Sequence, residues 1–217
     1  MNIHIISIFP EAFDSYFSSS ILGNAQKNNL FTVNFYKLND FSDKKFKHID
    51  DKAYWMHGQV ISPEPTAKAL DFVLNKIWKK APIIYLTPSW ELLNQNKVEK
   101  LVEEFEEDII ILCGHYEWVD QRIRDLYVTH EISIWEYVLS SWELSAMVLI
   151  DALVRHIPWV LWNKISLEEE SFSKKLNRKK EYPVYTRPAE FRWLQVPEIL
   201  RSWDHAKIEK WKFDNLQ

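Results

Sequence analysis

Apolar positions along this chain fall into short unbroken runs separated by stretches of helical spacing. Asn2–Ile8 (NIHIISI) is one such run, stopped by Phe9-Pro10, and predicts a buried strand. From Glu11 to Asn29 the spacing of Phe13, Phe17, Ile21 and Ala25 predicts a helix. Phe31–Lys37 predicts a second strand, and Asn39–His57 a Lys- and Asp-rich loop without periodicity. Pro65 opens a helix with Ala69, Phe72, Val73 and Ile77 on one face. Ile83–Leu86 predicts a strand ending at Thr87-Pro88, and Ile109–Leu112 another. Between them, Asn94–Glu107 predicts an amphipathic helix with Val98, Leu101, Val102 and Phe105 inward. Glu143–Ile157 is the most apolar helical stretch, carrying Leu144, Met147, Val148, Ile150, Leu153 and Val154. All-apolar strands alternating with helices predict an α/β domain built on a mostly parallel sheet.

After Leu161 the character changes. Asn163–Lys180 is charged and nearly free of aliphatic periodicity, with Lys174, Lys175, Arg178, Lys179 and Lys180 at its end. The expected organisation is a first domain over 1–161, a flexible linker over 162–180, and a small helical unit over 181–217. That last unit closes on a helix from about His205 to Trp211.

Composition then bounds the function. The 217 residues suffice for one sizeable core and a small appendage. Apolar content of 47% and charged content of 27% suit a soluble globular protein. No stretch approaches the ~18 apolar residues of a membrane span, so the expectation is a cytoplasmic protein without a membrane partner. Cys113 is the single cysteine, which removes internal disulfides and thiolate metal clusters. The seven histidines show no ligand spacing, and no structural metal is expected. A net charge of −4 excludes global attraction to nucleic acid. Phosphates would need local sites, for which the candidates are Lys44, Lys45 and Lys47, the linker cluster, and Arg187 and Arg192.

One feature of composition is out of line: 11 tryptophans beside 3 glycines. Average usage would give roughly 15 glycines in a chain of this length. Trp90, Trp142 and Trp203 each follow serine and precede an acidic residue, Trp159 follows Pro158, and Trp162 precedes Asn163. Such neighbours are turn formers, and turn chemistry asks for glycine there. Several of these letters therefore read as glycine, the reading expected if UGA codons specify glycine in this gene. The alternative is a genuinely tryptophan-rich surface.

Three loops follow strand ends or carry turn signals: Leu86-Thr87-Pro88-Ser89-Trp90, Cys113-Gly114-His115-Tyr116-Glu117-Trp118, and Ile134–Glu143. Ligands of open parallel sheets bind at the carboxyl ends of strands, so these loops form the expected pocket rim. At these residues the chain resembles the bacterial tRNA (guanosine-37 N1) methyltransferases of the SPOUT superfamily. The likeness starts at Ile6-Ser7-Ile8-Phe9-Pro10-Glu11 and is most specific at Leu112–Asp120 (LCGHYEWVD) and Glu131–Asp151 (EISIWEYVLSSWELSAMVLID). Tyr185–Phe191 (YTRPAEF) and Val196–Lys207 (VPEILRSWDHAK) extend it. Tryptophans 55, 90, 118, 135, 142, 159, 162, 193 and 203 fall where the family's pattern has glycine, Trp211 matches a family tryptophan, and Trp78 is left open. A non-glycine residue in a glycine-only backbone region costs about 1–3 kcal/mol. Half of nine such costs would rival a whole domain's stability of ~5–15 kcal/mol.

The resemblance implies a parallel α/β fold with a deep C-terminal trefoil knot and a small helical C-terminal domain. It implies methylation of N1 of guanosine 37 in tRNA, with S-adenosyl-L-methionine as cofactor and a homodimer as the working unit. It allows Mg²⁺ in catalysis, for which no protein site can be named. Carried over by position, the cofactor contacts are Tyr85, Leu86, Thr87, Pro88, Gly114, Tyr116, Glu117, Ile134, Trp135, Glu136, Tyr137, Val138, Leu139, Ser141 and Trp142. RNA contacts are carried by Lys44, Lys45, Arg187 and Arg192. Guanine N1 must lose its proton before it can attack, which calls for a carboxylate base and a cation near O6. Glu170, before Ser171-Phe172, stands where the family has aspartate, and Arg155 matches the family arginine. Glu170 is one methylene longer, and Ser145 and Ser141 replace a proline and a glycine. The rival functions are a non-catalytic RNA-binding relic, if the indoles are genuine, and a knotted methyltransferase with another RNA target.

Overall fold

The structure, a computed structural model, describes every residue except 56, 89, 106, 115–117 and 162–164, together with the side chains of 165 and 166. Contacts divide the chain into two compact units, Met1–Leu161 and Trp162–Gln217.

The first unit runs β1 (Asn2–Ser7), α1 (Asp14–Phe17), α2 (Ser20–Lys27), β2 (Thr32–Lys37), β3 (Asp50–Lys52), β4 (Gln59–Ile61) and α3 (Pro63–Ile77). It continues with β5 (Ile83–Leu86), α4 (Gln95–Glu104), β6 (Asp108–Leu112), β7 (Trp118–Val119), α5 (Gln121–Tyr127), β8 (His130–Ile132) and α6 (Trp142–Val154). Five strands form a sheet in the order β2-β1-β6-β5-β8, and every pairing in it is parallel. Both faces are covered, which is why these strands read as continuous apolar runs. Ile109 and Ile111 of β6 and Ile84 and Leu86 of β5 pack with α4 and α6 on one side. Ile110, Leu112, Ile83 and Tyr85 pack with Ala69, Leu70 and Val73 of α3 and Ile123 of α5 on the other. The result is three layers, with the mostly parallel α/β class expected from the pattern.

Local chemistry sets the element ends. The Asn94 side chain accepts from Lys97 N at the start of α4, and that of Asp120 from Arg122 N at the start of α5. The helix expected over Glu11–Asn29 is broken. A 3-10 turn at Pro10–Phe13 leads into α1, and α2 starts only after Ser18 and Ser19. The hydroxyl of Ser19 donates to Ser15 O (2.6 Å), competing with the helical ladder, and Ser20 adopts φ 50°. The loop expected over Asn39–His57 hides β3, which pairs antiparallel with β4, while β4 pairs parallel with β7. Lys44 Nζ ties this loop down by donating to Asp50 O, Asp51 Oδ2 and Ser62 Oγ at 3.0–3.2 Å.

The second unit contains α7 (Ile165–Glu168), an antiparallel pair of β9 (Glu190–Phe191) and β10 (Leu194–Gln195), and α8 (His205–Asp214). Asp204 caps α8 by accepting from Lys207 N, and the helix runs to Asp214 rather than stopping at Trp211. Trp211 packs edge-on to Tyr182 and tilted against Tyr185, at centroid distances of 6.5 and 6.4 Å.

Candidate functional site

The carboxyl ends of β5 and β8 are neighbours in the sheet, so the chain leaving each enters the same space. A cavity of about 320 Å³ opens there. Leu86, Thr87 and Pro88 wall it on the β5 side. The loop after β8 supplies Ile134, Trp135, Tyr137, Val138, Leu139 and Ser141, and α6 supplies Trp142 and Ser145. Hydrogen bonds join the two loops: Thr87 N donates to Ile132 O, Leu93 N to Ser133 O, and Ser133 N to Glu91 O, at 2.7–3.0 Å. The Ser133 hydroxyl turns the β8 loop by donating to Trp135 O at 2.8 Å.

Tyr85 lies beneath this cavity, wholly buried, with Trp142 stacked on it at 4.9 Å between centroids. Burial pushes its phenol up to about 12, against the pull of Val119 N–H and Arg124. Trp142 also lies against Gly114, where a Cβ would come within 3.2 Å of the indole. The ring thus touches two residues expected to contact the cofactor. Glu136 is exposed and is not among the lining residues. Tyr116 and Glu117 lie outside the described residues.

Three lining residues were not anticipated, Ile132, Ser133 and Ser145, whereas Trp118 belongs to the Cys113–Trp118 loop expected at the pocket rim. Ser133 was readable, since it follows β8 directly and lies inside the EISIWEYVLSSWELSAMVLID stretch. Ile132 and Ser145 lie in the same stretch.

Beside the cavity, Glu143 is buried at the first turn of α6, accepting from the Ser7 hydroxyl at 2.6 Å. Its position favours the helix dipole. Cys113 is wholly buried, and burial with the Glu143 charge pushes its thiol well up, which leaves it no role as a thiolate nucleophile. Among the described residues no three His, Cys, Asp or Glu side chains gather to hold a metal ion.

Arg155 caps the C-terminus of α6, half-buried, in the first unit. Glu170 is half-buried in the second unit, its carbonyl accepting from Ser173 N at 3.1 Å. Of the RNA candidates, Lys44 is engaged with Asp51, and Lys45 lies 5.0 Å over the Phe46 ring. Arg187 and Arg192 are exposed, the latter with its guanidinium 5.5 Å over Phe191. A second, larger cavity of about 1040 Å³ shares Trp118 and holds Lys68, Arg122 and Arg124. These cations face carboxylates: Lys68 pairs with Asp43, Arg122 with Asp120, and Arg124 with Glu131.

A largely apolar cavity with a few hydroxyls thus lies at the carboxyl edge of a parallel sheet, the place where α/β proteins bind their ligands. Comparison with known proteins makes the class specific. The family described as tRNA (Guanine-1)-methyltransferase TrmD matches residues 1–217, and the chain belongs to that family. A Clostridioides difficile protein named tRNA (guanine-N(1)-)-methyltransferase is 43% identical over 214 residues, covering 98% of this chain and 90% of its own. A protein of the same name from Oceanobacillus iheyensis is 42% identical over 213 residues, covering 98% and 85%. The crystal structure of the tRNA (m1G37) methyltransferase from Aquifex aeolicus superposes with a TM-score of 0.79 at 34% identity, covering 98% of this chain and 88% of that one.

Proposed function

We propose that this chain methylates N1 of guanosine 37 in tRNA, next to the anticodon, using S-adenosyl-L-methionine. The observation that carries the reading is the cavity between the β5 and β8 loops, lined by the same stretch that bears the family signature. Its apolar walls suit an adenine ring, and the hydroxyls of Thr87, Ser133, Ser141 and Ser145 suit the polar parts of the donor. When bound, the donor supplies an electrophilic methyl on a sulfonium sulfur.

The chain's own residues prepare the acceptor. Glu170 takes the N1 proton of guanine, freeing the ring nitrogen's electron pair for the new C–N bond. Arg155 stabilises the charge that moves onto O6. The walls of the cavity exclude water from the reacting atoms. The second unit binds the tRNA, and the first unit carries the family's trefoil knot.

The working unit is a homodimer, with the pocket of one subunit completed by its partner's linker and C-terminal unit. Supporting this is an exposed apolar stripe on α6, where Leu144 and Val148 lie one turn apart, 50% and 44% exposed.

The test is single-turnover methyl transfer to a tRNA transcript carrying guanosine 37 and to one lacking it. Only the first should be methylated, and Glu170→Gln should slow the reaction about 10²–10⁴-fold, the usual contribution of a positioned base. Full activity in Glu170→Gln removes that residue from the mechanism, and equal methylation of both transcripts removes the assigned position.

A further inference from the structure

Several indoles on this chain stand on left-handed backbone or in the lining of the cavity. Trp78 ends α3 with φ 55° and ψ 25°, its amide closing the last turn on Leu74 O. That left-handed position just past a helix is where glycine terminates helices, because a Cβ is strained there. The Trp78 ring is 92% exposed, so no packing compensates. Trp159 and Trp203 repeat the combination, with φ 74° and 59° and rings almost as exposed. Large aromatic rings are normally placed to bury their area, and left-handed backbone is uncommon outside glycine, asparagine and aspartate.

The cavity gives an independent indication. Trp118, Trp135 and Trp142 all project into its lining. Trp142 stacks on Tyr85 and lies against Gly114, where a Cβ would come within 3.2 Å of the indole, so it occupies space beside two residues expected to contact the cofactor. Trp211 is the contrast: it lies within α8 on helical backbone, and its ring packs on two tyrosines.

We propose that residues 78, 118, 135, 142, 159 and 203 are glycine in the protein the cell makes, specified by UGA codons, while Trp211 is a true tryptophan. The cavity is then wider by three indoles and admits a whole nucleoside-bearing methyl donor beside Tyr85 and Gly114. The identities at 78, 159 and 203 stand on left-handed backbone and exposed rings, and those at 118, 135 and 142 on their place in the cavity lining. The enlarged cavity rests on the proposed function.

Peptide mass spectrometry on the protein purified from its own cells tests the identities. Peptides spanning these positions should carry glycine at 78 and tryptophan at 211, and tryptophan at 78 overturns the proposal. Two recombinant chains test the cavity: the sequence as written, and one carrying Trp78→Gly, Trp118→Gly, Trp135→Gly, Trp142→Gly, Trp159→Gly and Trp203→Gly. The second should melt higher and bind S-adenosylhomocysteine at least 100-fold more tightly by calorimetry. Equal binding by the two chains overturns the enlarged cavity. Glycine in the native peptides without binding by the second chain leaves the identities standing and overturns the methyl-donor reading.

Discussion

Asp108, at the start of β6, gathers Asn2 Nδ2 at 3.0 Å, His4 Nε2 at 3.1 Å and Lys79 Nζ at 2.6 Å around a side chain only 8% exposed. Burial by itself would raise its pKa. The hydrogen bonds from Lys79, His4 and Asn2 outweigh it and hold the carboxyl below the usual aspartate range. A folded-state value lowered in this way adds stability that is complete above the ordinary aspartate pKa of about 4. It is lost as pH falls through the lowered value. Asp108→Asn should therefore reduce stability at neutral pH by about 1–3 kcal/mol, the cost of losing hydrogen bonds to a largely buried carboxylate. It should also flatten the acid limb of a melting curve followed from pH 7 to pH 3. An unchanged acid limb would assign the pH dependence to other carboxylates. Gly23 shows the same economy of space: a Cβ there would lie 2.4 Å from Ser18 O, so this glycine is required by close backbone approach.

At the scale of elements, α6 joins the site to the proposed subunit contact. Ala146, Leu149, Ile150, Leu153 and Val154 are buried against the sheet, and its first residue, Trp142, walls the cavity. Its outer stripe carries Leu144 and Val148, each able to contribute about 1.5–3 kcal/mol if buried. Val148→Asp should leave helical content intact, because the position faces solvent within the subunit, and should convert the dimer to monomers in sedimentation velocity. A dimer that survives this charge locates the contact elsewhere. The long elements were legible in the sequence because burial on both sheet faces writes unbroken apolar runs into β1, β5 and β6. β3, β4 and β7 were not, since strands of two or three residues leave no period and exist only through their partners. The broken first helix was missed because its apolar spacing continues through Ser18 and Ser19, whereas the break is made by hydroxyls and the φ of Ser20. At the site, the loop after β5 and the run Ile134–Ser141 could be read from strand ends and motif. Stacking of Trp142 on Tyr85 and against Gly114 required three dimensions.

Across the whole molecule, a chain of net charge −4 must grip a polyanion through local cationic sites. In the first unit Lys44, Lys68, Arg122 and Arg124 all sit against carboxylates, so they chiefly brace the fold. Arg187 and Arg192 of the second unit are exposed and stand beside the β9–β10 pair, which suits phosphate contact. Each phosphate contact releases condensed counterions, so the salt dependence of binding counts such contacts. Arg187→Ala and Arg192→Ala should each weaken tRNA binding and lower the slope of log K against log salt by about 1. Neither should alter S-adenosylhomocysteine affinity, because neither arginine is among the described residues that line the cavity between the β5 and β8 loops. Lys44→Ala should behave oppositely: it removes a side chain that holds the 39–57 loop to β3 and to Ser62, so the melting temperature falls while the salt slope of tRNA binding stays put. If Lys44→Ala changes the slope and the two arginine variants do not, the RNA path runs over the first unit instead. The two measurements together separate a cation that builds the protein from one that holds its substrate.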